Sequence, residues 1–542
     1  MPWGEYIPRC RVLATGSPVL RVKDQLDETT GDTTKKYFVN IAWSWIGFIT
    51  IIGSSTVVMP MLIRRLGTAR FGIWALAVSL IEYLWLIDLG FRPATVKFSA
   101  EFRALGQIDQ LNSLINTSLG YCLLAGAFIL GISWPNVGLI ARLLHIDDPA
   151  FQFLVRVVGL SWAGGLVFNT FAAVLEGFQR FDLSNRVSIV VTLMRGSVSL
   201  GLVLAGYGLR EMAVVLLVSQ STGYVMTYFY CRGIYPELRI SPRLVSLSMA
   251  RRILAYARQI VSGIVGSRIS FAALPSLVAH FKPVQYVTYY TQTQRMMEYA
   301  ADAISRVAMV TSPRVSDWHA RGYRQEIVDL ACLANRYCLT VWGLLASYLF
   351  IYGGNLCRVW INQEFGDRAA ILLPLWLVGY TFWISQFISA GILMGIARYT
   401  AFSITLFVES LASIACMAFF LPHYGLAAAV ASIAGVMAIS RCLILSWLFA
   451  REFKLSQAHY LWSIFDRPML LIGCSVAGLW AFREFVLPGR NLLQLISIGL
   501  LFALLYAAVA FWFVVRPEHR HFVLDKAMVR WNRLRTRDAA RA

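Results

Sequence analysis

The residues best placed to do chemistry are charged side chains set inside long apolar runs. A charge at mid-bilayer costs at least about 2.5–3.5 kcal/mol on insertion scales, so each needs a partner or a role. The densest set is Arg295, Glu298, Asp302 and Arg306, spaced three, four and four residues apart. At about 100° per residue they fall on one stripe of a helix. Arg295 can reach Glu298, and Asp302 can reach Arg306, so the stripe could pair with itself between helices. It could also wall an aqueous cavity, where arginine binds anions and an acid loads a proton or sodium. Two acids one turn apart repel and raise one pKa, which favours the cavity.

Arg268 lies in the middle of another apolar run, beside Gly263, Gly266 and Pro275, with no acid within one turn. Its guanidinium offers a fork matched to phosphate oxygens, the alternative being an ion pair between helices. Arg195 and Arg441 lie nearer the ends of their runs, where snorkelling to headgroups competes with a role in binding. Glu82 sits among apolar and aromatic residues as a candidate ion-coupling site. Asp88 and Arg92, four residues apart, read as a structural pair. Trp74, Tyr83 and Trp85 could stack on sugar rings, although lipid-facing positions account for most aromatics in such a chain.

The chain holds no metal-ligand or nucleophile pattern. Its nine cysteines include no C-x-x-C, and its seven histidines are scattered. No metal, cofactor or catalytic site is expected, only a coupling proton or sodium. An excess of basic residues, net charge +20, would suggest nucleic acid in a soluble protein. Here those residues concentrate in short loops between apolar runs, and no nucleic-acid partner is expected.

These charges must be positioned by membrane helices. Of the 542 residues 58% are hydrophobic and 14% charged, and the mean hydropathy is +0.61. Soluble domains carry about 25% charged residues, so this chain could not coat itself for water. The runs are long and continuous, not the short alternating strands of a barrel. The reading is an all-α polytopic membrane protein with about fourteen transmembrane helices. With an even count both tails share one side, and that side collects about three times as many Lys and Arg as the other. The bias places both termini in the cytoplasm. Met1 to Lys36 lacks the apolar stretch of a cleavable signal and reads as a polar tail.

A weak repeat divides the chain. Pro60 opens P-M-L-I-R-R-L-G-T-A-R-F-G-I-W, and Pro275 opens P-S-L-V-A-H-F-K-P-V-Q-Y-V-T-Y; an acid-bearing amphipathic exit follows each, at Phe98 and Arg314. Two parallel six-helix lobes follow from this, at residues 38–231 and 260–450, with the substrate site expected between them. Residues 1–37 form the tail, 232–259 a basic cytoplasmic linker, 451–515 two additional helices and 516–542 a basic cytoplasmic tail facing membrane lipids.

The stretches N-I-A-W-S-W from Asn40, R-R-L-G-T-A-R-F-G-I-W from Arg64, D-L-G-F-R-P-A-T-V-K-F-S-A-E from Asp88 and L-E-G-F-Q-R-F-D-L-S-N from Leu175 resemble the Wzx-like polysaccharide flippase family. That family belongs to the multidrug/oligosaccharidyl-lipid/polysaccharide exporter superfamily. The resemblance spans about residues 38 to 450. It implies two lobes in a V around a cationic cavity, and translocation of polyprenyl-pyrophosphate-linked oligosaccharide across a bacterial inner membrane, driven by H+ or Na+. It also implies work beside a polysaccharide polymerase and chain-length machinery, for exopolysaccharide, capsule or O-antigen. Arg268, Arg295 and Arg306 would then line the cavity, with Arg195 as a further substrate ligand and Glu298, Asp302 and Glu82 coupling ions. The competing readings are a multidrug or metabolite exporter of the same superfamily and a membrane-embedded polymerase or ligase. Short loops and the absence of catalytic motifs argue against an enzyme.

Overall fold

The computed structural model describes the backbone of residues 18–80, 90–146, 148–308, 315, 318–319, 321–396 and 399–521, and the side chains of most of these. Every regular element among them is helical. In chain order they are α1 (Pro18–Leu66), α2 (Thr68–Ser79), α3 (Phe91–Ala104), α4 (Ile108–Leu143), α5 (Pro149–Gly177), α6 (Phe181–Leu204) and α7 (Leu209–Ile234). After a short 3-10 turn at Pro242–Leu244 come α8 (Leu247–Phe281), α9 (Gln285–Ala308), α10 (Arg324–Trp360), α11 (Gln363–Ser385), α12 (Phe387–Gly395) and α13 (Tyr399–Ala438). A π-helical stretch, Ile439–Leu445, leads into α14 (Ser446–Phe453), and α15 (Gln457–Phe485) and α16 (Leu492–Phe513) complete the bundle.

Ten of the described helices are long and apolar enough to cross a bilayer. One of these, Ala401–Phe453, supplies two crossings. Its backbone breaks at Gly425, with φ 85°, and Glu409 before the break meets Ser440 and Arg441 after it. The two halves therefore lie side by side. Helices α2, α8 and α9 are not among the ten. This is a multi-pass membrane protein. Helix α1 begins at Pro18, so much of the expected polar tail continues the first span; its 49 residues extend about 73 Å at 1.5 Å per residue, far beyond a hydrocarbon core of about 30 Å.

Local sequence chemistry sets the helix ends. Asp148 caps α5, its carboxylate accepting from Ala150 N at 2.8 Å with Pro149 in the first turn. Asn362 and Asn491 cap α11 and α16 in the same way. The repeat prolines act alike: α1 ends six residues after Pro60 and α8 six residues after Pro275. Each helix then turns into a partner, α2 or α9. Gly67, at φ 84°, makes the first of these turns in a backbone region that disfavours side chains.

Helices α1 to α7 pack as one bundle, α1 on α6 and α5 on α4 and α7; α8 packs on α13, and α10 on α11 and α15. The second bundle is centred on Trp342, Trp376 and Tyr380, all nearly inaccessible. We call the face from which α1 rises, and to which α16 returns, the tail face, and its opposite the far face. On the tail face, α7 and α8 leave only residues 235–246 between them. That strand is clipped to α4. Asn112 donates to Glu237 O at 3.0 Å and accepts from Arg239 N at 2.9 Å. One turn later, Asn116 donates to Arg239 O at 2.6 Å and accepts from Ser241 N at 2.8 Å. Ser246 N donates to Thr117 at 3.0 Å. The first turns of α8 follow suit, with Met249 and Ile253 buried among Phe98, Phe102 and Leu114 of the first bundle.

Candidate functional site

A cavity of about 950 Å³ lies between α1, α5, α6 and α7 on one side and α2 and α9 on the other. Its lining runs from Ser44, Glu176 and Asn185 near the tail face to Leu62, Phe71 and Met212 near the far face. Neutral hydrogen-bonding groups, among them Ser54, Ser55, Asn169, Gln220 and Gln292, interrupt the apolar lining of the wall.

Four basic or acidic positions from the sequence reading come together here, Arg92, Arg195, Arg295 and Asp302. Arg195 sits fourteen residues into α6, about 21 Å from the tail-side start of that helix at 1.5 Å per residue. Snorkelling to the tail face is excluded by that depth. The guanidinium lies beside Tyr299, whose hydroxyl donates to Ser55 at 2.9 Å. Among the described residues Arg195 has no ion-pair or hydrogen-bond partner. Gly196 lets α6 approach α1 closely enough to fix this position: a Cβ there would fall 2.5 Å from Ser54 Oγ.

The α9 stripe divides. Arg295 pairs with Glu298 at 2.9 Å, as the i,i+3 spacing expected, but the arginine side chain is 55% exposed and the glutamate 13%. Arg295 and Asp302 face the cavity, whereas Glu298 turns towards Tyr290 and Tyr380 within the second bundle. Relative to Arg295, Glu298 is turned by about 60° around the helix and Asp302 by about 20°, which is enough to separate them. The side chains of Arg306 and Arg268 lie outside the described residues, as do Glu82 and Asp88; Arg268 stands on the α8 backbone and Arg306 on that of α9. Arg92 contacts Glu176 of α5 at 2.6 Å, a partner the sequence offered no way to select.

Arg441 is settled differently. It is buried and pairs with Glu409, with Nε 3.0 Å and Nη2 3.1 Å from the carboxylate oxygens. The π-helical turn carries Ser440 and Arg441 together onto that acid. Glu409 escaped the sequence reading, though a lone acid in an apolar span is the same signal that marked Arg441.

The far face is shut by contacts between the bundles. Arg64 at the end of α1 donates to the carbonyls of Val359 and Ile361 at the end of α10. Glu364 accepts from Tyr289 of α9 and lies 3.5 Å from Thr68 of α2, while Thr288 donates to Thr68 O at 2.7 Å. The two repeat corners meet here. A Cβ on Gly72 would stand 2.2 Å from Val284 O. Gly72→Ala is therefore expected to cost about 1–3 kcal/mol through overpacking and to lower the thermal midpoint of the solubilised protein. Gly131→Ala, with open space around it, is the control that should leave the midpoint unchanged or higher.

Comparison with known proteins gives the same picture. Residues 61–325 match the family model described as polysaccharide biosynthesis protein. A protein of Shigella flexneri assigned as an O-antigen transporter is 18% identical over 416 residues, covering 76% of this chain and 97% of the relative. The chain is similar to these polysaccharide-biosynthesis and O-antigen-transport proteins, in line with its resemblance to the multidrug/oligosaccharidyl-lipid/polysaccharide exporter superfamily. Solved structures share the fold. An inward-facing multidrug transporter of that superfamily superposes with a TM-score of 0.65 at 12% identity, over 75% of this chain and 94% of its own. The lipid II flippase MurJ, in an inward closed conformation, gives 0.63 at 13% identity, over 87% and 99%. The likeness to these solved structures is one of fold.

Proposed function

We propose that this exporter flips polyprenyl-pyrophosphate-linked oligosaccharide units for cell-surface polysaccharide synthesis. The observation that carries the reading is Arg195, a deep cation that faces a 950 Å³ cavity and has no ion-pair partner among the described residues. A buried charge without a partner is costly, and a pyrophosphate would relieve that cost on binding. Arg295 adds a second cation on the opposite wall, released from Glu298 when substrate competes for it. Neutral amides and hydroxyls around them suit sugar hydroxyls, and the polyprenyl chain remains in lipid. Asp302, on the wall shared with Arg295, is the coupling acid for H+ or Na+, with Glu298 and Glu82 as the further acids of the reading. Arg268 and Arg306 complete the proposed cationic lining, and Asp88 with Arg92 the structural clasp beside it.

The charge bias supports a cytoplasmic tail face, and the proposed substrate an inner-membrane location. The closed far face then makes this a state that loads from inside. Opening requires the substrate or ion to bind the two states unequally. Polysaccharide polymerase and chain-length proteins are the expected partners on the opposite side. The test is reconstitution in vesicles with a short-chain polyprenyl-pyrophosphate oligosaccharide, following its appearance in the other leaflet with an impermeant lectin. Wild-type protein should accelerate transfer and respond to an imposed H+ or Na+ gradient. Asp302→Asn should keep transfer but lose the gradient response. No acceleration by the wild type would overturn the flippase reading, and an undiminished gradient response in Asp302→Asn would remove that acid from coupling.

A further inference from the structure

Two histidines that lie far apart in the chain meet across the far-face seam. His145 follows the last turn of α4 with a left-handed backbone, φ 54°, and His280 occupies the last turn of α8. Their ring centroids are 5.2 Å apart, tilted by 43°. The Nδ1 atom of His280 is 2.9 Å from Leu143 O, which makes it the donor to that carbonyl. Both rings are exposed. They share a separate cavity of about 420 Å³ with Asp148 and Lys282. The α4–α5 corner belongs to the first bundle and the α8–α9 corner to the second, so this contact joins the halves beside the Gly72–Val284 approach.

We propose that His145 and His280 form a proton-binding site that loosens the far-face seam as the pH on that side falls. Imidazole is the side chain that changes charge between about pH 5 and pH 8. Uncharged, the two rings can sit side by side while one donates to a backbone carbonyl. Charged, they are two cations about 5 Å apart, and repulsion opposes the closed contact. The other charged groups on these corners, among the described residues, are Asp148, Lys282 and Arg142. Asp148 is engaged with the α5 cap and Lys282 carries the opposite charge, leaving the ring–ring repulsion to decide the sign. Acidification, by placing charge on both rings of this close contact, therefore favours parting of the seam. Because both rings face the same compartment, the site senses pH and carries no proton across the bilayer. It is distinct from the coupling acid assigned to the cavity.

Hydrogen exchange in the full-length protein in lipid nanodiscs reads this directly. Protection of the Leu143–Ile146 and Ala279–Val284 segments, corrected for intrinsic exchange, should fall on the order of tenfold from about pH 8 to about pH 5.5. Asparagine tolerates the left-handed backbone at 145 and can still donate from position 280. The double variant His145→Asn/His280→Asn should therefore stay folded and lose most of the pH response. His145→Lys places a fixed charge beside His280 and should lower protection even at the higher pH. A wild type whose protection is insensitive to pH or rises in acid, or a double variant that responds as the wild type does, would overturn the proposal.

Discussion

Arg195→Ala is expected to lose most transport while leaving the protein folded and present in the membrane. A hydrogen bond to a charged group contributes about 1.5–3 kcal/mol, so removing the fork should weaken substrate binding on the order of ten- to a hundredfold. Stability should hold or rise slightly, because the deleted cation has no protein partner among the described residues. Arg195→Lys keeps the charge but not the bidentate geometry, and an intermediate value is expected. The measurements are transfer in reconstituted vesicles, competition by inorganic pyrophosphate, and the thermal midpoint. Wild-type transfer by Arg195→Ala would remove this residue from the binding site. A large fall in midpoint without any change in pyrophosphate competition would mark it as structural.

The second large effect is on stability. Arg441→Ala strands the Glu409 carboxylate between two apolar half-helices, with Ser440 as its remaining neighbour. Removing one partner of a buried ion pair typically costs about 3–5 kcal/mol, because the other charge stays buried. Replacing both, as Arg441→Met/Glu409→Leu, should recover most of that loss. Unfolding of the purified protein in denaturant measures both. A single substitution costing less than about 1 kcal/mol would mean that the pair is solvated like a surface bridge. Failure of the double variant to recover would mean that the pair holds the π-helical turn in place as well as neutralising itself.

Much of the fold was legible in the sequence. Span length and apolarity located the helices, and the Pro60 and Pro275 stretches identified two corners that the structure brings into contact at Gly72 and Val284. The site was legible as a set of candidate charges and not as an arrangement. Hydropathy finds a charge within a span, but its partner depends on the rotation of neighbouring helices. Arg195 and Arg441 looked equivalent for that reason, yet one faces a cavity and the other meets Glu409. Spacing predicted the Arg295–Glu298 pair because both residues share one helix. It could not say that the glutamate turns into the bundle while Arg295 and Asp302 face the cavity. His145 and His280 were invisible as a pair, since their proximity arises only where the two bundles dock.

The clip on the tail face has a mechanical consequence. Asn112 and Asn116 hold the joining strand by its backbone, and Met249 and Ile253 anchor the next turns of α8 in the first bundle. The covalent tether between the halves therefore has no slack. Any swing of one half against the other must be absorbed as flexure of α8 beyond Ala257, so the stiffness of that single rod helps set how fast the molecule can change hands from one compartment to the other.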